Sequence, residues 1–538
     1  MPPLPTLPDD YYLTNFRKLT SHALEWYADL LTDEERHWLA DFDCLSHGGQ
    51  CLLVRLLSRR GNWFRSDKAE YKEIGDQHQA LSELAALGFI TLNPDADIST
   101  LAEKLLTKAE IIALFPTLPK QSRKEALLAQ LSQQIIAKEI GLPFSVIYLN
   151  QGEMIELLLV LFFANTHQDF SQFVLDDLGL NNFERYQLSR ERRFFQDREQ
   201  VEVLRKLTHI QSLYDLCPKP TPTELDEWQR LLPEPCEHPS IERKRQHVMN
   251  QLARDYERHQ AFAPALMLYR QTQVMPTRER QARILDKQQQ IQAMRDIVTE
   301  MLDTPLNHSE LEVAQKLNQR VLRLQGQKAP RTIKPAHKTL HLELDLSQQR
   351  VELAVKSHFE QLGYQVYYLE NQFLNTLFGL TFWDAIFAPV EGAFINRYQH
   401  RPLDLYHDDF VLKRQSYIES AIAELMNDGV KPLWLRWQNK FSIANPFVFW
   451  TDCDESLFEL TEQSFPRALL VDLFKVQLSD LKLYRNGMPD LILFKDGEFE
   501  WVEVKGPGDK LQDSQWRWIE QFSRLNVPFS VCYVNHTV

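Results

Sequence analysis

The chain has 538 residues, of which 44% are hydrophobic and 25% charged, the balance of an ordinary water-soluble globular protein long enough for about three domains. No apolar run approaches the ~20 residues that span a bilayer, and the opening MPPLPTLPDDYY has no basic stretch leading into an apolar core, so no membrane is expected and the expected location is the cytoplasm. The net charge of −14 excludes a surface that grips nucleic acid everywhere, so any such grip has to come from local clusters of Lys and Arg.

The first cluster lies near the N-terminus. Leu52, Leu53, Leu56 and Leu57 have helical spacing, and Arg55, Arg59, Arg60, Arg65 and Lys68 accompany a single acid, Asp67. A second helix over Gln79 to Leu87 ends at Gly88, before the short apolar strand Phe89 to Leu92. Helices followed by a short strand predict a winged-helix-like DNA-binding region over 1–97. In the next stretch, 98–143, Thr100 and Glu103 have the spacing of a capping box. Lys104, Lys108, Lys120, Arg123 and Lys124 then surround two short helices broken at Pro116 and Pro119. Two short helices joined by a basic turn resemble the SAP module, which binds DNA backbone.

From 144 to 325 the pattern is one of long amphipathic helices. Leu252, Tyr256, Ala265, Tyr269 and Pro276 fall close to the spacing of a tetratricopeptide (TPR) helix pair, with small Ala265 where two helices approach. Such helices form a scaffold, although Arg278, Arg280 and Arg283 are candidates to line a phosphate path. The segment 326–338, GQKAPRTIKPAHK, has prolines, a glycine and basic residues without apolar periodicity, the mark of a linker.

The last domain is expected over 339–538. Val351, Ala354, Val355, Phe359 and Leu362 line one face of a helix stopped by Gly363. Tyr364 to Leu369 reads as a strand carrying Glu370 at its end, and Phe373 to Phe387 as a strongly apolar helix with Trp383 in the core and Asp384 on its surface. A mostly helical segment over 399–476, including Ser416 to Asn427, precedes the closing strands.

Gly487 to Gln515 carries the chemistry. Leu491 to Phe494 and Phe499 to Val504 flank Lys495-Asp496-Gly497-Glu498, and Asp-Gly favours a type I′ hairpin turn. That turn sets Asp490 opposite Glu503, with Cβ atoms about 5 Å apart, where like charges repel unless a positive charge sits between them. A divalent cation supplies such a charge. Lys505 shares the face of Glu503, and Val504 points away, leaving its carbonyl as an oxygen ligand. Hard oxygen ligands beside an ammonium are the parts of a metal-dependent phosphodiesterase.

The order Pro489-Asp490, spacer, Glu503-Val504-Lys505 resembles the PD-(D/E)xK nucleases. The longer string Glu503 to Pro507, with Asp509, Leu511 and Gln515, resembles their VRR-NUC subfamily. Upstream, Glu370 to Leu380, Phe382 to Phe387 and Arg401 to Tyr406 look like the signature of the Fanconi-associated nuclease family and its bacterial relatives. The fold so implied is multidomain α/β: winged-helix and SAP-like helical regions, TPR-like repeats, and a C-terminal restriction-endonuclease-like domain with a helical insertion.

By this resemblance Glu370, Asp490 and Glu503, with the Val504 carbonyl, are metal ligands for one or two Mg²⁺ or Mn²⁺ ions. Lys505 is the catalytic lysine, and Asp509, Lys510 and Gln515 support the site. Glu352 and Glu391 are rivals of Glu370 that spacing alone does not separate. The implied activity is cleavage of DNA near 5′ ends, branches and 5′ flaps, as endonuclease and 5′-to-3′ exonuclease, in the repair of interstrand crosslinks within a bacterial cytosol or nucleoid. The helical insertion suggests a monomer. The six cysteines form no C-x-x-C pair, so the ubiquitin-binding zinc finger of larger family members is not expected. A junction resolvase or restriction-like endonuclease, and an inert DNA-binding helical scaffold, are the alternatives.

Overall fold

In the computed structural model the described residues are 8–69, 71–131, 141–165, 182–330, 334–450 and 453–537. The chain divides into two compact units, Met1–Leu178 with Phe195–Thr208, and Gly179–Phe194 with His209–Val538. Among the described residues no helix is long and apolar enough to cross a membrane.

The first unit opens with helices α1 (Tyr11–Tyr27), α2 (Asp33–Cys44) and α3 (His47–Leu57). The Thr32 hydroxyl and the Glu35 carboxylate close a capping box at the start of α2. Strand β1 (Trp63–Arg65), helix α4 (Gln77–Ala86) and strand β2 (Ile90–Leu92) follow, then the short helices α5 (Ile98–Leu105), α6 (Lys108–Leu114) and α7 (Lys124–Leu128). Asp97, not Thr100, caps α5, its carboxylate accepting from the Thr100 N–H at 2.8 Å; the capping box falls one helix later, at Thr107 and Glu110. Part of the SAP-like stretch, 132–140, lies outside the described residues.

β1 and β2 are not paired with each other. Both pair antiparallel with β3 (Val146–Leu149), which lies centrally in the order β1-β3-β2 and opposes Tyr148 to both Trp63 and Thr91. The sheet begun within 1–97 is therefore completed by residues beyond 143. Three-residue strands at the edges have no other partner for their backbone groups. Helix α8 (Met154–Phe163), apolar almost all round, is largely buried, as is α3.

In the second unit a run of helices, each packed on the next, includes Pro239–Arg258, Phe262–Tyr269, Thr277–Lys287, Ile291–Asp303 and His308–Leu324. Ala265 is fully buried, as are Tyr256 and Tyr269, which suits a small residue where two helices approach closely. The arginines considered for a phosphate path are engaged in this scaffold. Arg278 pairs with Glu310 and Glu300, Arg280 with the buried Glu257, and Arg283 with Glu279. Buried carboxylates need such partners.

The C-terminal sheet has five strands: β4 (Lys338–Leu344), β5 (Gln365–Tyr368), β6 (Leu491–Lys495), β7 (Glu498–Lys505) and β8 (Phe529–His536), in the order β4-β8-β7-β6-β5. β4 and β7 run parallel to β8, while β5–β6 and β6–β7 are antiparallel. The helix Val351–Gln361 covers one face, where Val355, Val366, Leu491, Val502 and Val504 pack together. The other face carries Trp501 and Phe494 against Phe373, Phe465, Trp518 and Phe522. The apolar helix expected over 373–387 is two, Gln372–Thr381 and Trp383–Ile386, divided at Phe382, whose dihedrals leave the helical range. Trp383 is buried and donates to Glu184, and Asp384 is exposed. The insertion is helical, and inside it Arg414, fully buried, makes two bonds of 2.8 and 2.9 Å to Asp404.

Candidate active site

Asp496 and Gly497 both have positive φ, 54° and 79°, the geometry that makes Asp-Gly a type I′ turn. Lys495 opposes Glu498 and Leu491 opposes Val502, so continuing the register brings Asp490 opposite Glu503. The two strands are joined there by the Val504 N–H, which donates to Asp490 Oδ2 at 2.8 Å. On the other side the Asp490 carbonyl accepts from the Leu369 and Glu370 N–H groups at 3.1 and 3.0 Å. That fixes the end of β5 to the start of β6. Glu370 sits in this junction with φ of 29° and is exposed.

Glu503 is 2% exposed. Its Oε1 lies 2.7 Å from Lys505 Nζ and accepts from the Gln515 amide. Gln515 is brought there by the helix Asp513–Leu525, whose first turn it closes by accepting from the Gln512 N–H. Gly487, with φ of 90°, lets the chain pass this helix: a Cβ there would come within 2.6 Å of the Ser514 carbonyl.

Burial pushes the Glu503 carboxyl up to about 8; the charge of Asp490 adds to this, and the Lys505 ammonium opposes it. Burial also raises Asp490, to about 6, against the pull of the Val504 N–H and with a push from Glu370. Such a pair resists carrying two negative charges unless a cation joins it. The donors are hard oxygens, which suits Mg²⁺, Mn²⁺ or Ca²⁺ rather than a thiolate-seeking metal. Among the described residues no three acid, histidine or cysteine side chains stand close enough to hold an ion as they are. Glu370 Oε1 instead accepts from the Asn371 amide at 2.9 Å, which leaves Oε2 for a ligand.

Of the rivals to Glu370, Glu352 belongs to the same acidic field. Tyr368 is raised by burial first, then by Glu352, Asp490 and Glu370. Glu391 lies elsewhere, where its charge acts on His238. Asp509 accepts from the Gly506 N–H at 3.0 Å and so fixes the turn after β7, while Lys510 is exposed.

The basic candidates of the first unit separate into two kinds. Arg55 bonds to Glu73 and lies over the rings of Tyr12 and Tyr71. Arg65, only 11% exposed, is held by Asp67 and Glu110 and stacks on Phe144. These two hold the fold together. Arg59 donates to the Lys68 carbonyl, Lys104 pairs with Glu103, and Lys124 donates to the Glu103 carbonyl. Arg60, Lys68, Lys120 and Arg123 are exposed and Lys108 is half-buried. Nothing along the chain separates the two kinds: Glu73 lies 18 positions from Arg55 and Glu110 lies 45 from Arg65, whereas the exposed Lys68 directly follows Asp67.

The VRR-NUC domain family matches residues 429–536, and the family described as FAN1, HTH domain matches residues 10–91. The chain is 34% identical, over 98% of its length and 97% of the relative's, to the Fanconi-associated nuclease 1 homolog of Pseudomonas aeruginosa. Fanconi-associated nuclease 1 of Homo sapiens is 23% identical over 97% of this chain, which spans 62% of the human protein. Among solved structures, the crystal structure of paFAN1 bound to 2-nucleotide 5′-flap DNA with a gap is similar at a TM-score of 0.86 and 34% identity, covering 99% of this chain and 100% of that one.

Proposed function

Because the chain belongs to the Fanconi-associated nuclease family, we propose that this structure-selective DNA nuclease hydrolyses phosphodiesters near 5′ ends and 5′ flaps with Mg²⁺ or Mn²⁺. The observation that carries this reading is the facing pair Asp490 and Glu503 on the β6–β7 hairpin, with Lys505 beside Glu503. A relative solved with 5′-flap DNA and alike over 99% of the chain supports the choice of substrate.

Asp490, Glu503 and Glu370 would hold the cation, with the Val504 carbonyl as a further oxygen. A divalent ion held there would supply charge to polarise the phosphate and ease deprotonation of the attacking water. The remaining work falls to the chain. Lys505 orients that water and balances charge developing on the phosphate. Gln515 and Lys505 together fix Glu503 so that its carboxylate does not swing away from the hairpin pair.

The exposed Arg60, Lys68, Lys120 and Arg123 grip phosphates of the substrate without reading bases, which makes the enzyme selective for structure more than for sequence. It acts as a monomer, one site cutting one strand.

The test is cleavage of labelled 5′-flap, 3′-flap, four-way junction and linear duplex DNA, with Mn²⁺ or a chelator, by wild type and Asp490→Ala. Metal-dependent cutting near the 5′ flap that disappears in the variant is expected. Preference for the four-way junction, with light scattering at twice the monomer mass, points instead to a resolvase. Binding without cutting in any metal overturns the catalytic assignment.

A further inference from the structure

The helix Gln372–Thr381 is buried from Phe373 to its end and is apolar apart from a few positions, one of which is Asn375, 2% exposed. An amide in such a place costs stability unless its groups are bonded. Here they are bonded to backbone that carries the expected ligands. Asn375 Nδ2 donates to the carbonyls of Asn371 at 2.6 Å and Arg485 at 2.8 Å, and its Oδ1 accepts from Gln477, itself 2% exposed, at 2.8 Å. Asn371 continues the chain of bonds. Its Oδ1 accepts from the Met488 N–H at 3.1 Å, and its Nδ2 donates to Glu370 Oε1.

One buried side chain thus ties together the segment that bears Glu370 and the segment that leads into Asp490. The junction needs such a tie. Glu370 has a φ of 29°, a backbone conformation that a residue with a side chain keeps only when its surroundings enforce it. A leucine at 375 would fill the same space in this apolar core, so packing does not call for an amide.

We infer that Asn375 is a positioning residue of the cation site, which through Asn371 fixes where the Glu370 carboxylate stands relative to Asp490. The inference rests on the proposed roles of Glu370 and Asp490. Partners of metal ligands set ligand orientation, and their loss costs about ten- to a hundredfold in metal affinity.

The experiment titrates Mn²⁺ into DNA-free wild type, Asn375→Leu, Asn371→Ala and Glu370→Ala, reading free Mn²⁺ by electron paramagnetic resonance. Melting temperature in chelator and flap-DNA affinity in chelator are measured beside it. Asn375→Leu and Asn371→Ala should weaken Mn²⁺ binding at least about tenfold, with flap affinity unchanged. Asn371→Ala leaves the core full, so it carries the test should Asn375→Leu fail to fold. Mn²⁺ binding unchanged in Asn371→Ala but weakened in Glu370→Ala overturns the positioning role alone. Binding unchanged in Glu370→Ala as well overturns the ligand assignment on which it stands.

Discussion

Lys505 Nζ lies 2.7 Å from Glu503 Oε1, with the lysine side chain 9% and the glutamate side chain 2% exposed. An ion pair so enclosed adds little stability, because taking both charges out of water costs about as much as their attraction returns. Burial and the charge of Asp490 push the Glu503 carboxyl up toward its neutral form, so removing the ammonium leaves little uncompensated charge. Lys505→Met should therefore change the melting temperature in chelator only slightly. The same variant should lose about a hundredfold or more in single-turnover cleavage of a 5′ flap. A fall in stability as large as the fall in rate would show Lys505 to be structural.

Asp490 and Glu503, raised to about 6 and about 8, keep their protons to higher pH when folded than when unfolded. Their contribution to stability is complete below the ordinary carboxylate range and is lost as pH rises through about 6 to 8. A cation must displace those protons, and where they have already left it binds more tightly. The rise in melting temperature given by a fixed Mn²⁺ concentration should grow from pH 6 to pH 8.5 in calorimetry. A rise independent of pH would mean that neither acid is a ligand.

Glu352 and Glu370 both act on Tyr368, but only Glu370 is bonded to the backbone of Asp490. Glu370→Gln should reduce cleavage at saturating Mn²⁺ by about a hundredfold or more. Glu352→Gln should cost less than about tenfold, by changing the field and not the ligand set. Single-turnover rates across a Mn²⁺ series decide it. Equal losses would make Glu352 a ligand as well.

Arg65 and Arg123 make a second contrast. Arg65→Ala leaves Asp67, Glu110 and the ring of Phe144 without their partner and should destabilise the first unit by about 1–2 kcal/mol. Arg123→Ala should leave the melting temperature alone. If Arg123 contacts a phosphate, its removal lowers the slope of log affinity against log salt for flap DNA by about one. A slope unchanged in Arg123→Ala and Lys120→Ala would remove these two residues from the DNA interface.

The hairpin was legible because Asp496-Gly497 specifies one turn, and one turn specifies every cross-strand pair behind it. The helix Val351–Gln361 and the strand before Glu370 were equally plain from their periodicity. Other parts depended on contacts distant in sequence. β3 is a four-residue apolar run that any core could absorb, and only its pairing with two short strands identifies its place. Arg278 and Arg280 looked basic along the chain, yet their acids lie 32 and 23 positions away. Asn375 gave no signal at all, since a single amide in an apolar helix acquires meaning only from the carbonyls that approach it.

β8 lies between β4 and β7 and is the last strand to be made. While the polypeptide is being synthesised, the hairpin with Asp490 and Glu503 can form, but its sheet lacks the strand on which β7 rests. Residues 501–505 gain their second neighbours, Phe529 to Tyr533, only after these have left the ribosome. The sheet that backs Glu503 and Lys505 thus draws on residues about thirty positions further along the chain, and the hairpin alone does not complete it.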